Sequence, residues 1–176
     1  VVVVIAEEGY GTAGTLPPFA LKHLGGDFKV SCVYASSENR NDIPGIEALD
    51  DADIAIWSLR RRTLPQKQLD VFRRFIAAGK PLVAIRTTSH GFSSSKGSPP
   101  EGLADWPEFD QQVLGGNYSG DHNNKSGIQV TSAEGVSGHP ILTGVKTDEF
   151  TAFASLYKTS PLAETVAPLL IGRADG

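Results

Sequence analysis

The sequence has one cysteine, no methionine and no apolar run long enough to cross a bilayer. The single thiol, Cys32, excludes an internal disulfide. The opening VVVVIA is far shorter than the roughly 20 apolar residues of a membrane-spanning helix, so we expect a soluble chain without a transmembrane segment. The missing methionine, even at position 1, indicates that a preceding segment was processed, removed or disordered. A cytoplasmic location and export after removal of a signal peptide both stay open.

An excess of positive charge is also missing, since Lys and Arg number 16 against 20 Asp and Glu, for a net charge of -4. This balance argues against a partner such as nucleic acid or an anionic membrane. The one basic cluster, Arg60 to Arg62, is interpreted as a solvated loop, with a phosphate-binding patch as the alternative. A length of 176 residues with 40% hydrophobic residues predicts a single domain over 1–176 with its own core.

The first half of the chain alternates between apolar runs and helical patterns. Strands are predicted at 1–6, 28–35, 53–59 and 81–85, the first and last of them as strands buried on both faces. Helices are predicted to begin at the capping residues Thr15 and Thr63 and to end at Gly25 and Gly79. Right-handed crossovers would place these helices on both faces of the sheet. The pattern predicts an α/β fold with a doubly wound, mostly parallel sheet.

The second half is richer in loops. The loops 93–102 and 115–127 flank a short helix at 107–114, and short strands are predicted at 128–131, 150–154 and 166–171. No closing helix follows the last strand, which favours a domain truncated at its C-terminal end. In such folds ligands bind outside the carboxyl ends of the strands. The segments to examine are therefore 7–14, after the first strand, and 86–92, after the fourth.

The segment after the fourth strand invites comparison with a nucleophile elbow, where a strained strand-to-helix turn presents a reactive side chain. A class I glutamine amidotransferase would read Gly-Ile-Cys-x-Gly here, whereas this chain reads Ala84-Ile85-Arg86-Thr87-Thr88. Arginine stays protonated and cannot attack an acyl group, so glutamine hydrolysis is not expected. Cys32 lies within a predicted strand and is interpreted as an inert core thiol.

Four segments together resemble the ThuA-like (trehalose utilisation) family in order and spacing. They are LPQKQLDVFRRFIAAGKPLVAIRTTSHGF (64–92), WPEFDQQVLGGNYSGDH (106–122), GHPILTGV (138–145) and FASLYK (153–158). The four segments lie between residues 64 and 158. It implies a class I glutamine amidotransferase-like, flavodoxin-like arrangement adapted to carbohydrate utilisation. The chain departs from the family at Arg86, where many members carry His, and at Ser155, where an acidic residue is usual, whereas His122, His139 and Tyr157 match.

The expected ligand is a small-molecule carbohydrate or sugar derivative. Arg86 is predicted to orient it by bidentate hydrogen bonds, with a structural ion pair as the alternative, and His90 or His122 to move a proton. A nucleophilic Ser89-His90 pair is not expected, because adjacent side chains point apart. The residues predicted to contact the ligand are Tyr10, Thr87, Ser89, Trp106, Asn117, Tyr118 and Tyr157.

Several alternatives stay open. Capping is the competing role for the hydroxyls of 87–89, and packing competes with sugar stacking for the aromatic residues. No cofactor is predicted, but His90, Asp121 and His122 are the residues that would hold a divalent metal. A noncatalytic ligand-binding or scaffold module is the alternative to an enzyme, and the oligomeric state is open.

Overall fold

The computed structural model describes residues 1–95, 97–122, 127–146 and 150–174. The chain divides into two compact units, Val1–Leu114 and Gly115–Gly176. One domain over 1–176 stays a prediction. None of the helices in the described ranges has both the length and the hydropathy that crossing a bilayer requires.

A parallel sheet of four strands forms the centre of the first unit. The strands of this unit are β1 (Val2–Ala6), β2 (Ser31–Tyr34), β3 (Ala55–Leu59), β4 (Leu64–Pro65), β5 (Leu82–Ala84) and β6 (Leu103–Ala104). The parallel sheet has the order β2-β1-β3-β5, and β4 and β6 form a separate antiparallel pair. The central strand β1 pairs with two neighbours, and its five apolar residues are all buried. A β-branched apolar run of this kind is typical of a strand covered on both faces.

Two helices cover the sheet from opposite sides. Helix α1 (Thr12–Leu24) packs its Ala20 against Val3 and Ile5, whereas α2 (Gln66–Ala77) packs its Phe72 in the cluster that contains Val4. Because successive side chains of a strand point to opposite faces, the alternation along β1 assigns one helix to each face. The prediction of an α/β fold with a parallel sheet and helices is confirmed.

Short helical turns complete the first unit. A 3-10 turn at Ile46–Leu49 precedes β3, a second one at Arg86–His90 follows β5, and a π-helical turn spans Asp110–Leu114. The last of these lies within the short helix predicted at 107–114. The predicted strand at 28–35 is shorter in the structure, since only Ser31–Tyr34 pairs with β1.

Three predictions of local structure in this unit are wrong. Helix α1 begins at Thr12 rather than after Thr15, which lies inside it, and α2 begins at Gln66, after the short strand β4, rather than after Thr63. The strand predicted at 81–85 is not buried, because β5 is an edge strand and Val83 is 54% exposed. The apolar composition of residues 81–85 is typical of a central strand, so composition alone does not distinguish an edge strand from a central one.

The second unit is built from short antiparallel strands. They are β7 (Asp121–His122), β8 (Ile128–Ser132), β9 (Phe150–Ala152), β10 (Leu156–Tyr157) and β11 (Leu170–Ala174). The order β11-β8-β9 forms one sheet, and β7 pairs with β10. The strand predicted at 128–131 is confirmed, while that predicted at 166–171 begins only at Leu170. Part of the predicted polar loop 115–127, residues 123–126, lies outside the described residues.

Candidate functional site

The loops that follow the parallel strands of the first unit meet at one edge of the sheet. Because β1, β2, β3 and β5 are parallel, their carboxyl ends lie at the same edge. Backbone bonds join these loops, since the N–H of Arg60 donates to Ala6 O at 3.2 Å and that of Arg61 donates to His90 O at 3.2 Å. Ligands of open α/β sheets bind at such an edge.

Arg86 is the first residue of the turn after β5, and its backbone is strained. Its φ is 35°, in the left-handed region that non-glycine residues seldom adopt, and it directly follows the extended Ile85. The guanidinium Cζ of Arg86 lies 5.4 Å from the ring centroid of Tyr10. A cation at this distance from an aromatic face is attracted to it. The structure therefore brings together two of the predicted site residues, Arg86 and Tyr10.

The turn that carries Arg86 packs tightly on β3. Thr88 is buried, and its Oγ1 lies 2.9 Å from both Trp57 O and Ile85 O while accepting from the N–H of Leu59 at 3.2 Å. Thr87 is also buried, so neither hydroxyl faces solvent. A Cβ added at Gly91 would lie 2.9 Å from the Cβ of Leu59, which leaves room only for glycine at the end of the turn.

Ser89 and His90 contact each other. Ser89 Oγ lies 3.2 Å from Nδ1 of His90, and the carbonyl of His90 accepts from Ser93 Oγ at 3.0 Å. The expectation that these adjacent side chains point apart is therefore wrong. The tight 3-10 geometry of the turn folds the short serine side chain back towards the ring. The two half-buried side chains form a hydroxyl–imidazole pair at the carboxyl edge.

Trp106 lies in an aromatic cluster of the first unit. Its ring centroid is 5.3 Å from that of Phe109 and 6.1 Å from that of Phe92, and its Nε1 donates to Gln112 Oε1 at 3.0 Å. The guanidinium Cζ of Arg73 lies 5.3 Å from the Trp106 ring. These contacts are those of the packing alternative, and a role in sugar stacking stays a prediction.

The remaining predicted residues lie in the second unit. The Tyr118 and Tyr157 rings are 4.7 Å apart, and the N–H of Asn117 donates to Thr159 O at 2.9 Å. His122 is exposed and pairs with Leu156 between β7 and β10. His122 and Tyr157 also line an open cleft of about 430 Å³ within this unit. Asn117, Tyr118, His122 and Tyr157 thus lie in the same β7–β10 region of the second unit.

The residues of the alternative metal site belong to different units. His90 lies in the first unit, and Asp121 and His122 lie in the second. Across the part of the chain that the structure describes, no group of three or more His, Cys, Asp or Glu side chains is placed to hold a metal ion. His139, by contrast, caps a short turn, because its Nδ1 accepts from the N–H of Ile141 at 3.3 Å.

Comparison with protein-family models and with curated proteins gives no match to this chain. The resemblance to the ThuA-like family therefore depends on its motifs alone.

Glu7 is a central residue of this edge that sequence reasoning did not single out. It is 6% exposed, and its carboxylate accepts from the N–H groups of Gly9 and Tyr10 at 2.8 Å, from Thr12 N–H at 2.9 Å and from Thr12 Oγ1 at 2.6 Å. Burial raises the pKa of Glu7, but the hydrogen bonds from Thr12, Tyr10 and Gly9 together outweigh it and hold the pKa below its ordinary value. Glu7 thus occupies the N-terminus of α1, where these folds commonly hold a phosphate.

Arg62 is the second such residue, and its burial corrects the interpretation of Arg60 to Arg62 as a solvated loop. Its side chain is 1% exposed. Nε donates to Ala6 O at 2.7 Å, Nη1 donates to Arg40 O, and Nη2 donates to Glu8 Oε1 at 3.0 Å. Burial and then the nearby Arg40 lower the pKa of Arg62, and Glu8 opposes them. The buried guanidinium therefore fixes the loops after β1 and β2.

Two open clefts flank Arg40 at this edge. One, of about 340 Å³, is lined by the ends of β1 and β2 and by Glu8, Ser36, Ser37, Arg40 and Arg62. Burial, followed by the neighbouring Cys32, raises the pKa of Tyr34, which also lines this cleft. The other, of about 200 Å³, is lined by Arg40, Asn41, Arg61, Thr63, Ser94, Ser95, Ser98 and Pro100. The sequence signal for both clefts is the run Arg60 to Arg62 after β3, because Arg62 lines the first cleft and Arg61 the second.

Proposed function

We propose that this chain is a ThuA-like domain on a class I glutamine amidotransferase-like sheet, which binds or acts on a carbohydrate or sugar derivative in sugar utilisation. The order β2-β1-β3-β5 with one helix on each face supports a doubly wound, flavodoxin-like arrangement, whose strands begin in the same order. The motifs at 64–92, 106–122, 138–145 and 153–158 support the family.

The observation that carries the proposal is the conformation of Arg86. A φ of 35° directly after a parallel strand is the kind of strained turn in which such folds present their reactive side chain. Here the turn presents a guanidinium group, with its Cζ 5.4 Å from the Tyr10 ring. Arginine cannot act as an acyl nucleophile, but it binds carboxylate or sugar oxygens through paired N–H groups. The elbow is thus suited to holding a ligand oxygen rather than to forming a thioester.

His90 is the group proposed to move a proton at the elbow. Its Nδ1 is 3.2 Å from Ser89 Oγ, so the hydroxyl helps to fix the orientation of the ring. In the second unit, Tyr118 and Tyr157 offer aromatic faces and His122 an exposed imidazole to a sugar. Because His122 is exposed, it can exchange a proton with a bound ligand there.

Calorimetric titration of the full chain with glucose, trehalose and glucuronate tests the proposal. We expect Arg86→Gln to weaken the binding of whichever sugar binds by at least tenfold, because a charge-assisted bidentate contact is lost. Arg73→Gln is the matched control, since Arg73 also lies over an aromatic ring but belongs to α2. It should change the affinity less than twofold. Absence of binding to all three sugars, or equal effects of the two variants, would contradict the proposal.

A noncatalytic binding module is the second candidate, and the burial of the Thr87 and Thr88 side chains favours it. The hydroxyl of Thr88 donates to backbone carbonyls, whereas that of Ser89 lies beside the imidazole of His90. Mass spectrometry of a bound sugar after prolonged incubation separates the candidates. Conversion that is lost in His90→Gln indicates an enzyme, and binding without conversion indicates the module. In either case we expect no release of ammonia from glutamine.

A bound metal is an alternative that elemental analysis of the purified protein decides. Stoichiometric zinc, manganese or iron would support it, and the result is independent of the sugar titrations. His122→Ala should reduce the metal content if the second unit provides a ligand.

A further inference from the structure

We propose that the 200 Å³ cleft beside Arg40 and Arg61 is a binding site for a tetrahedral oxyanion, the phosphate group of a phosphorylated ligand. Its lining residues include two arginines, Arg40 and Arg61, together with Asn41 and the hydroxyl-bearing residues Thr63, Ser94, Ser95 and Ser98. Among the residues that the structure describes, none of those lining the cleft carries a carboxylate. In a chain of net charge -4, the two arginines bring positive charge to this cleft, and Glu8, 3.8 Å from Arg40, offsets part of it.

The guanidinium group of Arg40 keeps donors available for a ligand. Its Nη1 donates to Arg61 O at 3.3 Å, and its Nε forms an ion pair with Glu8 Oε1 at 3.8 Å, a distance too long for a hydrogen bond. The same oxygen of Glu8 accepts from the buried Arg62 at 3.0 Å. Arginine has five N–H donors, and the contacts of Arg40 found among the described residues use few of them. The remaining donors suit a phosphate, whose oxygens arginine binds in pairs.

Arg61 is held in a strained conformation at the mouth of this cleft. Its φ is 50°, and among the described non-glycine residues only Arg61 and Arg86 have a positive φ. Its N–H donates to His90 O at 3.2 Å and its carbonyl accepts from Arg40, so both backbone groups are fixed. Strain of this kind is costly for a residue with a Cβ and concentrates where ligands bind. The strain therefore supports a binding role for the side chain.

The usual phosphate position of such folds is already filled. At the N-terminus of α1 the carboxylate of Glu7 accepts from Gly9, Tyr10 and Thr12, which are the N–H groups that a phosphate would use. A second anion there would be repelled by this carboxylate and would find these donors occupied. A phosphate that binds at the same edge must therefore find its donors elsewhere, and the Arg40–Arg61 cleft supplies them.

The source of the phosphate can be a free ion or a phosphorylated sugar. Arg40 also lines the 340 Å³ cleft, whose hydroxyl and carboxylate groups suit a polyol, so a hexose phosphate could occupy both clefts. Naming the sugar depends on the proposed function above. The oxyanion site itself does not depend on it.

Calorimetric titration of the full chain with inorganic phosphate at low ionic strength tests the site. We expect saturable binding that Arg61→Gln weakens at least tenfold. Ser98→Asp should have the same effect, because it adds a carboxylate to the lining without removing an arginine. Arg60→Gln is the control, since it removes the same charge one residue away and Arg60 does not line the cleft. The affinity of Arg60→Gln for phosphate should stay within twofold of the wild-type value.

Three results would overturn the oxyanion site. They are no saturable binding of phosphate, equal weakening by Arg60→Gln and Arg61→Gln, and full binding in Ser98→Asp. Titration with hexose 6-phosphate and with the unphosphorylated hexose then separates the two sources. Tighter binding of the hexose phosphate than of phosphate supports the phosphorylated sugar. Equal affinities for phosphate and for the hexose phosphate would support the oxyanion site and contradict a phosphorylated sugar as its ligand.

Discussion

At the scale of single residues, the carboxylate of Glu7 accepts four hydrogen bonds at the carboxyl edge. Glu7→Gln replaces an acceptor of four hydrogen bonds with an amide, whose NH₂ group faces the donors either of Thr12 or of Gly9 and Tyr10. We expect the free energy of unfolding at pH 7 to fall by about 2 kcal/mol, since bonds to charged groups are the stronger ones. Urea titration followed by circular dichroism measures the change.

The pH dependence of this loss follows from the lowered pKa of Glu7. The stabilisation is present above the pKa of the unfolded carboxyl group, about 4.3, and is lost as the pH falls through the lower folded value. The wild type and Glu7→Gln should therefore converge in stability below that pH. The exposed Glu38 gives the control, and Glu38→Gln should match the wild type throughout. A difference between wild type and Glu7→Gln that persists unchanged in acid would show that the charge is not the cause.

Arg86 offers a test of strain at a single residue. Its φ of 35° is costly for a residue with a Cβ and not for glycine, so Arg86→Gly should be more stable than Arg86→Ala by about 1 kcal/mol. Both variants lose the contact with Tyr10, so the comparison isolates the backbone. Thermal unfolding of the two measures the difference. Equal stability would mean that the turn relaxes once the guanidinium is removed.

The position of Arg86 could be predicted from the sequence, while the roles of Glu7 and Arg62 could not. Arg86 follows an apolar run directly, so its place at the end of a strand is a local feature. Arg62, in contrast, is buried by contacts with the carbonyls of Ala6 and Arg40, which lie 56 and 22 residues away along the chain. Contacts at that separation form only in the finished fold. In the sequence alone, a run of three arginines has the pattern of a solvated loop.

At the scale of elements, Arg62 joins the loops that follow β1, β2 and β3. Arg62→Met would leave the carbonyl of Arg40 without this donor, and Ala6 O would keep only the N–H of Arg60. We expect a loss of about 3 kcal/mol in the free energy of unfolding, because two backbone carbonyls lose hydrogen bonds from a charged donor. The half-buried Arg60 gives the matched control, and Arg60→Met should cost less than about 0.5 kcal/mol. Similar losses of stability in Arg62→Met and Arg60→Met would show that the effect comes from removing any positive charge there, not from the buried contacts of Arg62.

The starts of the helices show why element boundaries were predicted less well than the elements. Thr15 has the residue type of a cap, yet α1 begins at Thr12, whose N–H and Oγ1 both donate to Glu7 five residues earlier. A carboxylate from the preceding strand end thus replaces the adjacent cap that local rules anticipate. In the same way, Thr63 precedes the pairing of β4 with β6, which delays α2 until Gln66. Both shifts come from pairings outside the helix itself.

At the scale of the whole molecule, the two units differ in how much apolar surface they bury. Of the buried hydrophobic side chains in the described residues, all but Ile128 lie in residues 1–114, where Trp57 packs against Phe72, Phe92 and Phe109. In residues 115–176, by contrast, Phe153 is 82% exposed and Ile141 70% exposed. Burial of apolar surface is the main favourable term in folding, so the stability of the chain is concentrated in the first unit.

The first unit is therefore expected to fold by itself. A fragment of residues 1–114 should show one cooperative urea transition, with a slope on the order of 1 kcal/mol per M, because both of its core clusters are complete without other residues. The fragment 115–176 should show no cooperative transition, since it contributes one buried hydrophobic residue to the described core. Tryptophan fluorescence follows the first fragment, which holds Trp57 and Trp106, and circular dichroism follows the second. Gradual unfolding of the fragment 1–114 would contradict this expectation. It would mean that the aromatic cluster of the first unit is insufficient to hold α2 on β3, and that the parallel sheet depends on contacts beyond residue 114.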